Sequence, residues 1–171
     1  MAEKNNSQEF TISRVFDAPR DLVWKAFTEP HRLKEWWGPK GVTVIKSNMD
    51  LRPGGSYHYA MRMPDGSTMW GKFVYREITP PSRMVFVSSF SDEAGGVTHH
   101  SMAPTWPLET LSTFLFEEED GKTKFTIKSS PLNATEEERA TFAAGHTSMQ
   151  HGWGGTLDEL AAYLAKSAEA A

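Results

Sequence analysis

Seven residues near the C-terminus, Phe142, His146, Met149, Trp153, Leu157, Leu160 and Leu164, recur at steps of three and four. On an α-helix successive side chains turn by about 100°, so all seven stay within about 40° of one line. A helix roughly 30 Å long therefore offers a single narrow apolar stripe to whatever covers it. Thr135 and Glu138 form a capping box at its expected start, and Gly145 is where the element is expected to kink or divide. The closing SAEAA reads as frayed tail.

The cover must come from the middle of the chain. Turn signals at RPGG (52–55), PDG (64–66), TPP (79–81) and EDG (119–121) punctuate six expected strands: Val42 to Leu51, Ser56 to Met63, Thr68 to Ile78, Arg83 to Phe90, Leu108 to Glu118 and Lys122 to Ser129. Their mostly hairpin-length connections favour antiparallel pairing. Upstream, Phe10, Ile12 and Phe16 alternate with polar neighbours as a first strand. A helix follows, with Asp17 as its cap, Pro19 in its first turn and Leu22, Val23, Ala26 and Phe27 as its apolar face; Trp24 points away from the centre of that face. Pro30 opens a second short helix through Leu33 and Trp36, stopped by Gly38-Pro39. This order specifies an α+β fold: a strand, two short helices, an antiparallel meander of six strands, and a long helix laid across a curved sheet. One helix does not readily fill the space under a strongly curved sheet, so the interior is expected to hold a cavity.

Composition removes whole classes of chemistry. At 171 residues the chain is expected to form one domain over 1–171, with its ordered core at about 9–166. With no cysteine there are no disulfides, zinc-thiolate sites, iron-sulfur clusters or thiol nucleophiles, which suits a cytoplasmic location. MAEKNNSQEF lacks the apolar stretch of a secretory signal, and no run approaches the ~18 apolar residues of a membrane span, so no membrane insertion is expected. Eighteen basic against 22 acidic side chains give a net charge of -4, which argues against a nucleic-acid partner. There is no Gly-x-Ser-x-Gly elbow and no phosphate-cradling glycine loop, and no cofactor is called for. His99 and His100 beside His58 do not make a metal site: adjacent histidines in extended chain point opposite ways, and no His-x-x-x-His accompanies them.

Four stretches, DAPRDLVWKAFTEPHRLKEWWGP, DLRPGGSYHYAM, REITPPSRMVF and GHTSMQHGWGGTLDELAAYLAK, resemble the START-like, helix-grip proteins, also called the SRPBCC superfamily. Within it they are similar to the bacterial single-domain branch related to the C-terminal domain of the activator of the ninety-kilodalton heat-shock chaperone ATPase. The resemblance runs from about Phe10 to Lys166. It implies a deep, largely apolar pocket between the sheet and the C-terminal helix, used for lipids, polyketides and other hydrophobic molecules. A shared fold does not say which ligand fills it.

The adjacent Trp36 and Trp37 cannot share one core slot; with the helix closing one end of the sheet, one indole is expected in the core and the other at the pocket rim. Tyr57, Tyr59, Met61 and Met63 alternate on one strand face, either as pocket wall with tyrosine anchors or as amphipathic cover on a solvent face. His146, Met149 and Trp153 share the inner line of the long helix; Met149 and Trp153 serve core or pocket, and an inward His146 needs a structural partner or a ligand. Gly152, Gly154 and Gly155 crowd one turn, where each costs about 1 kcal/mol against alanine, and they could admit a close strand, leave room for a ligand, or kink the helix. The long Ser91 to Pro107 segment reads as a lid pinned by Trp106. The leading expectation is binding of a small hydrophobic molecule by a monomer or homodimer without enzymatic activity. The alternatives are a cyclase, dehydratase or hydrolase using Tyr57, Tyr59 or His146 as acid or base, and a chaperone-modulating, stress-response module.

Overall fold

The computed structural model describes residues 9–38, 40–99 and 104–170. Its elements run β1 (Phe10–Phe16), α1 (Arg20–Thr28), α2 (Pro30–Leu33), β2 (Thr43–Met49), β3 (Ser56–Arg62), β4 (Thr68–Thr79), β5 (Arg83–Ser91), β6 (Val97–Thr98), β7 (Glu109–Glu119), β8 (Lys122–Leu132), α3 (Glu136–Ala144) and α4 (His146–Ala170). The strands form one antiparallel sheet in the order β1-β8-β7-β5-β4-β3-β2, curved and unclosed, with β1 and β2 at its edges. The short helices pack on one end of it, α1 against β7 and β8, while α4 crosses to β1. This is the helix-grip arrangement that the resemblance implies.

The strands obey their turn chemistry. Asp120 and Gly121 both have positive φ, 52° and 80°, which fits a two-residue primed hairpin turn between β7 and β8. Gly38 sits at φ +93°, where a side chain would be strained and its Cβ would lie 2.8 Å from Val42 Cγ1, so glycine is required where the chain leaves α2 for β2. β8 outruns its expected end at Ser129 because Pro131 does not stop it. Among the described residues pairing with β1 begins at Phe10↔Ser129, so no described β1 residue needs the N–H that Pro131 lacks. The two-residue β6 had no sequence signal; β4 holds one edge of β5 as far as Ser91, and β6 takes the other, beyond the reach of β7.

Several local expectations are corrected. Pro19, not Asp17, is the N-cap of α1, and no side chain caps it. Trp24 is 7% exposed and packs edge-on against Phe116, so the buried face of α1 is wider than its apolar pattern suggests. Helix α2 ends at Leu33, leaving Trp36 and Trp37 in the following turn; Pro39 lies outside the described residues. The capping box at Thr135 and Glu138 is complete, with bonds of 3.0 and 3.1 Å, and Gly145 divides the C-terminal helices. Helix α4 then runs without a break through 152–155 to Ala170, where a frayed tail was expected, and Ala171 lies outside the described residues.

The core is an aromatic cluster under α1 and the C-terminal half of α4. Phe27 is its hub: its ring lies 4.7 Å from Trp36, 4.8 Å from Phe125 and 5.3 Å from both Phe114 and Phe116. Leu157, Leu160 and Leu164 of α4 close over the cluster, all nearly inaccessible. Arg14 on β1 ties the helix to the sheet through Asp158 at 2.6 Å and the carbonyl of Gly154 at 3.4 Å. Replacing the hub ring leaves a void that rigid strands on one side cannot collapse into. Phe27→Ala should therefore cost about 3–5 kcal/mol in urea unfolding, and a loss under about 1 kcal/mol would mean that the cluster is not the stabilising core.

Candidate functional site

The inward-facing residues of the sheet change character from one register row to the next. In one row Met84, Phe114, Ile127 and Ile12 lie opposite one another across β5, β7, β8 and β1. One row along stand Phe86, Ser112, Ser129 and Phe10, and in the next Phe73, Ser88, Thr110 and Pro131. Where rings give way to hydroxyls, side-chain volume is lost and the helix above cannot descend to make it up. A cavity of about 380 Å³ results.

Its walls come from several elements. Trp37, Tyr59, Met61, Phe73 and Phe86 make an aromatic and thioether side. Ser88, Thr110, Ser112, Ser129 and Thr156 make a hydroxyl side. The N-terminal half of α4 covers it with Met149, Gly152 and Trp153, and Trp106 and Phe142 close one end. No lysine, arginine, histidine or carboxylate stands in the wall among the described residues.

The tryptophan pair divides at this boundary. Trp36 is 2% exposed, donates its indole N–H to the Ala26 carbonyl at 3.1 Å and packs on Phe27, inside the aromatic core. Trp37, perpendicular to it at 5.6 Å, turns to the cavity and packs edge-on against Tyr59, Phe73 and Trp153. Trp153 in turn meets Phe114, so the two indoles form the partition between core and cavity.

Of the nine residues singled out from sequence, the structure brings Trp37, Tyr59, Met61, Trp106, Met149 and Trp153 to the cavity wall. Trp36 and Tyr57 lie in the core, and His146 packs between Phe10 and Phe142 at ring distances of 5.7 and 5.4 Å. The alternating Tyr57, Tyr59 and Met61 face inward and are buried. The Tyr59 ring folds across Gly71, its register partner, where any Cβ would overlap it. Sequence reasoning missed the hydroxyl side. The signal was present: Ser88, Ser112 and Ser129 each fall at the inward phase of their strand, where the pattern calls for an apolar residue.

Gly152 and Gly154 are not there for close approach, since a Cβ at either meets nothing within 4 Å. Gly152 keeps the cavity wall free of a side chain. Gly145 does serve contact: its Cβ would lie 2.9 Å from the Trp106 ring, which packs at a tilt against Phe142. With the Thr141 to Thr105 hydroxyl bond of 2.9 Å, this ties the end of the Ser91 to Pro107 segment to the α3–α4 junction. Residues 100–103 of that segment, His100 included, lie outside the described residues. His58 binds the Asp92 carbonyl at 3.0 Å and stacks on Trp70, His99 is exposed, and no metal-binding cluster of three or more such side chains occurs among the described residues.

Burial pushes the Tyr59 phenol up to about 12, and Tyr57 and Tyr75 upward for the same reason. The Trp37 indole nitrogen beside Tyr59 opposes the shift, but the pair does not meet hydrogen-bond geometry and the Trp37 N–H has no acceptor among the described residues. At neutral pH Tyr59 is therefore a donor and not a base.

The sequence pattern of the family described as "Activator of Hsp90 ATPase homolog 1-like protein" matches residues 17–165. No curated protein matches the chain. A crystal structure of a Mycobacterium smegmatis protein is 25% identical with a TM-score of 0.77, covering 94% of this chain and 92% of that one. A Nitrosomonas europaea crystal structure is 25% identical with a TM-score of 0.74, covering 95% and 97%. A solution structure from Arthrobacter aurescens is 26% identical with a TM-score of 0.77, covering 94% and 88%.

Gly71, under the Tyr59 ring, and Gly152, in the helical wall of the cavity, should respond in opposite directions. Gly71→Ala forces the Tyr59 ring aside and should cost about 1–3 kcal/mol in urea unfolding, whereas Gly152→Ala gains helix propensity in open space and should stabilise by about 1 kcal/mol. Equal signs would contradict the geometry. The raised tyrosines set a pH window: unfolded phenols ionise near pH 10 while the folded ones hold their protons, so stability is complete below pH 10 and falls as pH climbs toward 12. Tyr59→Phe should shallow that fall in alkaline unfolding curves; an unchanged slope would mean that Tyr59 is not buried as described.

Proposed function

Because the chain belongs to the family of Activator of Hsp90 ATPase homolog 1-like proteins, whose matched segment includes every described wall of the cavity, we propose that it encloses a small, mainly apolar molecule between its sheet and its C-terminal helix. The observation that carries this reading is the cavity of about 380 Å³, within the range of roughly 300–1,000 Å³ that small-molecule sites occupy. Its lining supports the same reading, being aromatic and thioether on one side with a few hydroxyls convergent on the other. Burial of a ligand against rings such as Trp37, Phe73 and Trp153 supplies affinity, and the hydroxyls orient it.

Acid–base turnover in the same cavity would fall to Tyr59 among the described residues, since Tyr57 and His146 stand outside the wall. A phenol that holds its proton to about pH 12 favours hydrogen bonding over proton abstraction at neutral pH, and this supports binding over catalysis. No helix of the described residues is long and apolar enough to cross a membrane. Among the described residues the large apolar side chains that stand exposed, Val15, Ile45 and Val97, are on three different strands and form no stripe.

Trp37, Trp106 and Trp153 in the wall make intrinsic fluorescence a direct reporter. Titration with a panel of neutral apolar and aromatic molecules should give saturable, one-to-one quenching by at least one of them. Gly152→Leu, which fills the cavity from a helix position with open space above it, should weaken that binding by about tenfold or more, equivalent to about 1.4 kcal/mol. Silence across the panel, or undiminished binding by the filled variant, would remove the proposal.

A further inference from the structure

We infer that the cavity selects an uncharged ligand over its anionic counterpart: an apolar body that ends in a hydroxyl, ketone or amide seated on Ser88, Thr110, Ser112 and Ser129. This rests on the binding function proposed above and narrows the class of molecule.

The hydroxyls are organised as two cross-strand pairs. Ser88 and Thr110 are register partners on β5 and β7 with their oxygens 2.7 Å apart, and Ser112 and Ser129 are partners on β7 and β8 at 2.8 Å. Each hydroxyl has one proton and two lone pairs. Within a pair one proton is spent on the neighbour, so each pair keeps one proton and spare lone pairs to offer. The cavity can therefore both donate to a ligand oxygen and accept from a ligand O–H or N–H. Opposite this side stands the Tyr59 hydroxyl, which stays protonated, with the buried Trp37 indole N–H beside it, without an acceptor among the described residues.

Nothing on the described walls supplies a countercharge. Arg14, on edge strand β1, is committed to Asp158 and the Gly154 carbonyl. On β3 and β4, His58 and Lys72 point to the other side of the sheet, where they bind the Asp92 and Gly95 carbonyls. A carboxylate brought among these rings would lose its hydration for a few neutral hydrogen bonds, and an unpaired buried charge costs far more than a neutral polar group. An isosteric amide or alcohol meets the same hydroxyls at far lower desolvation cost.

Two matched probe pairs at pH 7, naphthamide with naphthoate and decanol with decanoate, test this by calorimetry on the full chain. The neutral member should bind more tightly by about tenfold or more in each pair that binds. In Ser112→Ala/Ser129→Ala the preference should shrink as the neutral member loses affinity, while naphthalene, which needs no hydroxyl, should bind as before. Equal or tighter binding of the anion would overturn the inference and leave the binding function standing. Silence of both pairs and of naphthalene would overturn the binding function and this inference with it.

Discussion

Everything distinctive about this interior follows from a loss of volume across one register step of the sheet. Phe114 and Ile127 complete a packed aromatic and aliphatic layer; their inward-facing successors, Ser112 and Ser129, do not reach the helix. Leucines of α4 press on the first layer, and Met149, Gly152 and Trp153 span the gap over the second. A single helix is straight on this scale and cannot dip to follow the missing side chains. Beside the gap the helix is held up by Trp153, whose ring rests edge-on against Trp37 and Phe114.

Trp37 is the point at which stability and function meet. Its ring belongs to the core cluster through Trp36 and to the cavity wall through Tyr59, Phe73 and Trp153. The wall is therefore pre-set by the same contacts that fold the protein, which lowers the ordering cost a ligand would otherwise meet. At the other end Trp106, held over Gly145 and Phe142, gives the long segment before β7 a fixed foot at the cavity.

Much of the fold was legible in the sequence because turn chemistry and period are local properties. The six expected strands after Gly41 begin and end within three residues of those found, and the capping box marked the start of α3. Errors arose where a distant neighbour decides. Trp24 is buried because Phe116 comes to meet it, and Pro131 stays in its strand because β1 does not extend that far. The site was legible in part. Alternation placed Tyr59 and Met61 inward, but Tyr57 on the same face lands in the core, since period fixes direction and not depth. The hydroxyl side went unread because three serines on three strands form a surface only after register brings them together.

Belonging to the Activator of Hsp90 ATPase homolog 1-like family fixes the frame, and the neutral, hydroxyl-edged cavity is what this chain's own residues add to it. Native mass spectrometry of the protein, isolated gently from the cells that make it, tests the central claim most directly. The account predicts a one-to-one adduct that dissociates on denaturation and proves to be an uncharged, mainly apolar molecule. A protein recovered empty that also refuses every apolar molecule offered to it, or one carrying a charged ligand, would contradict it.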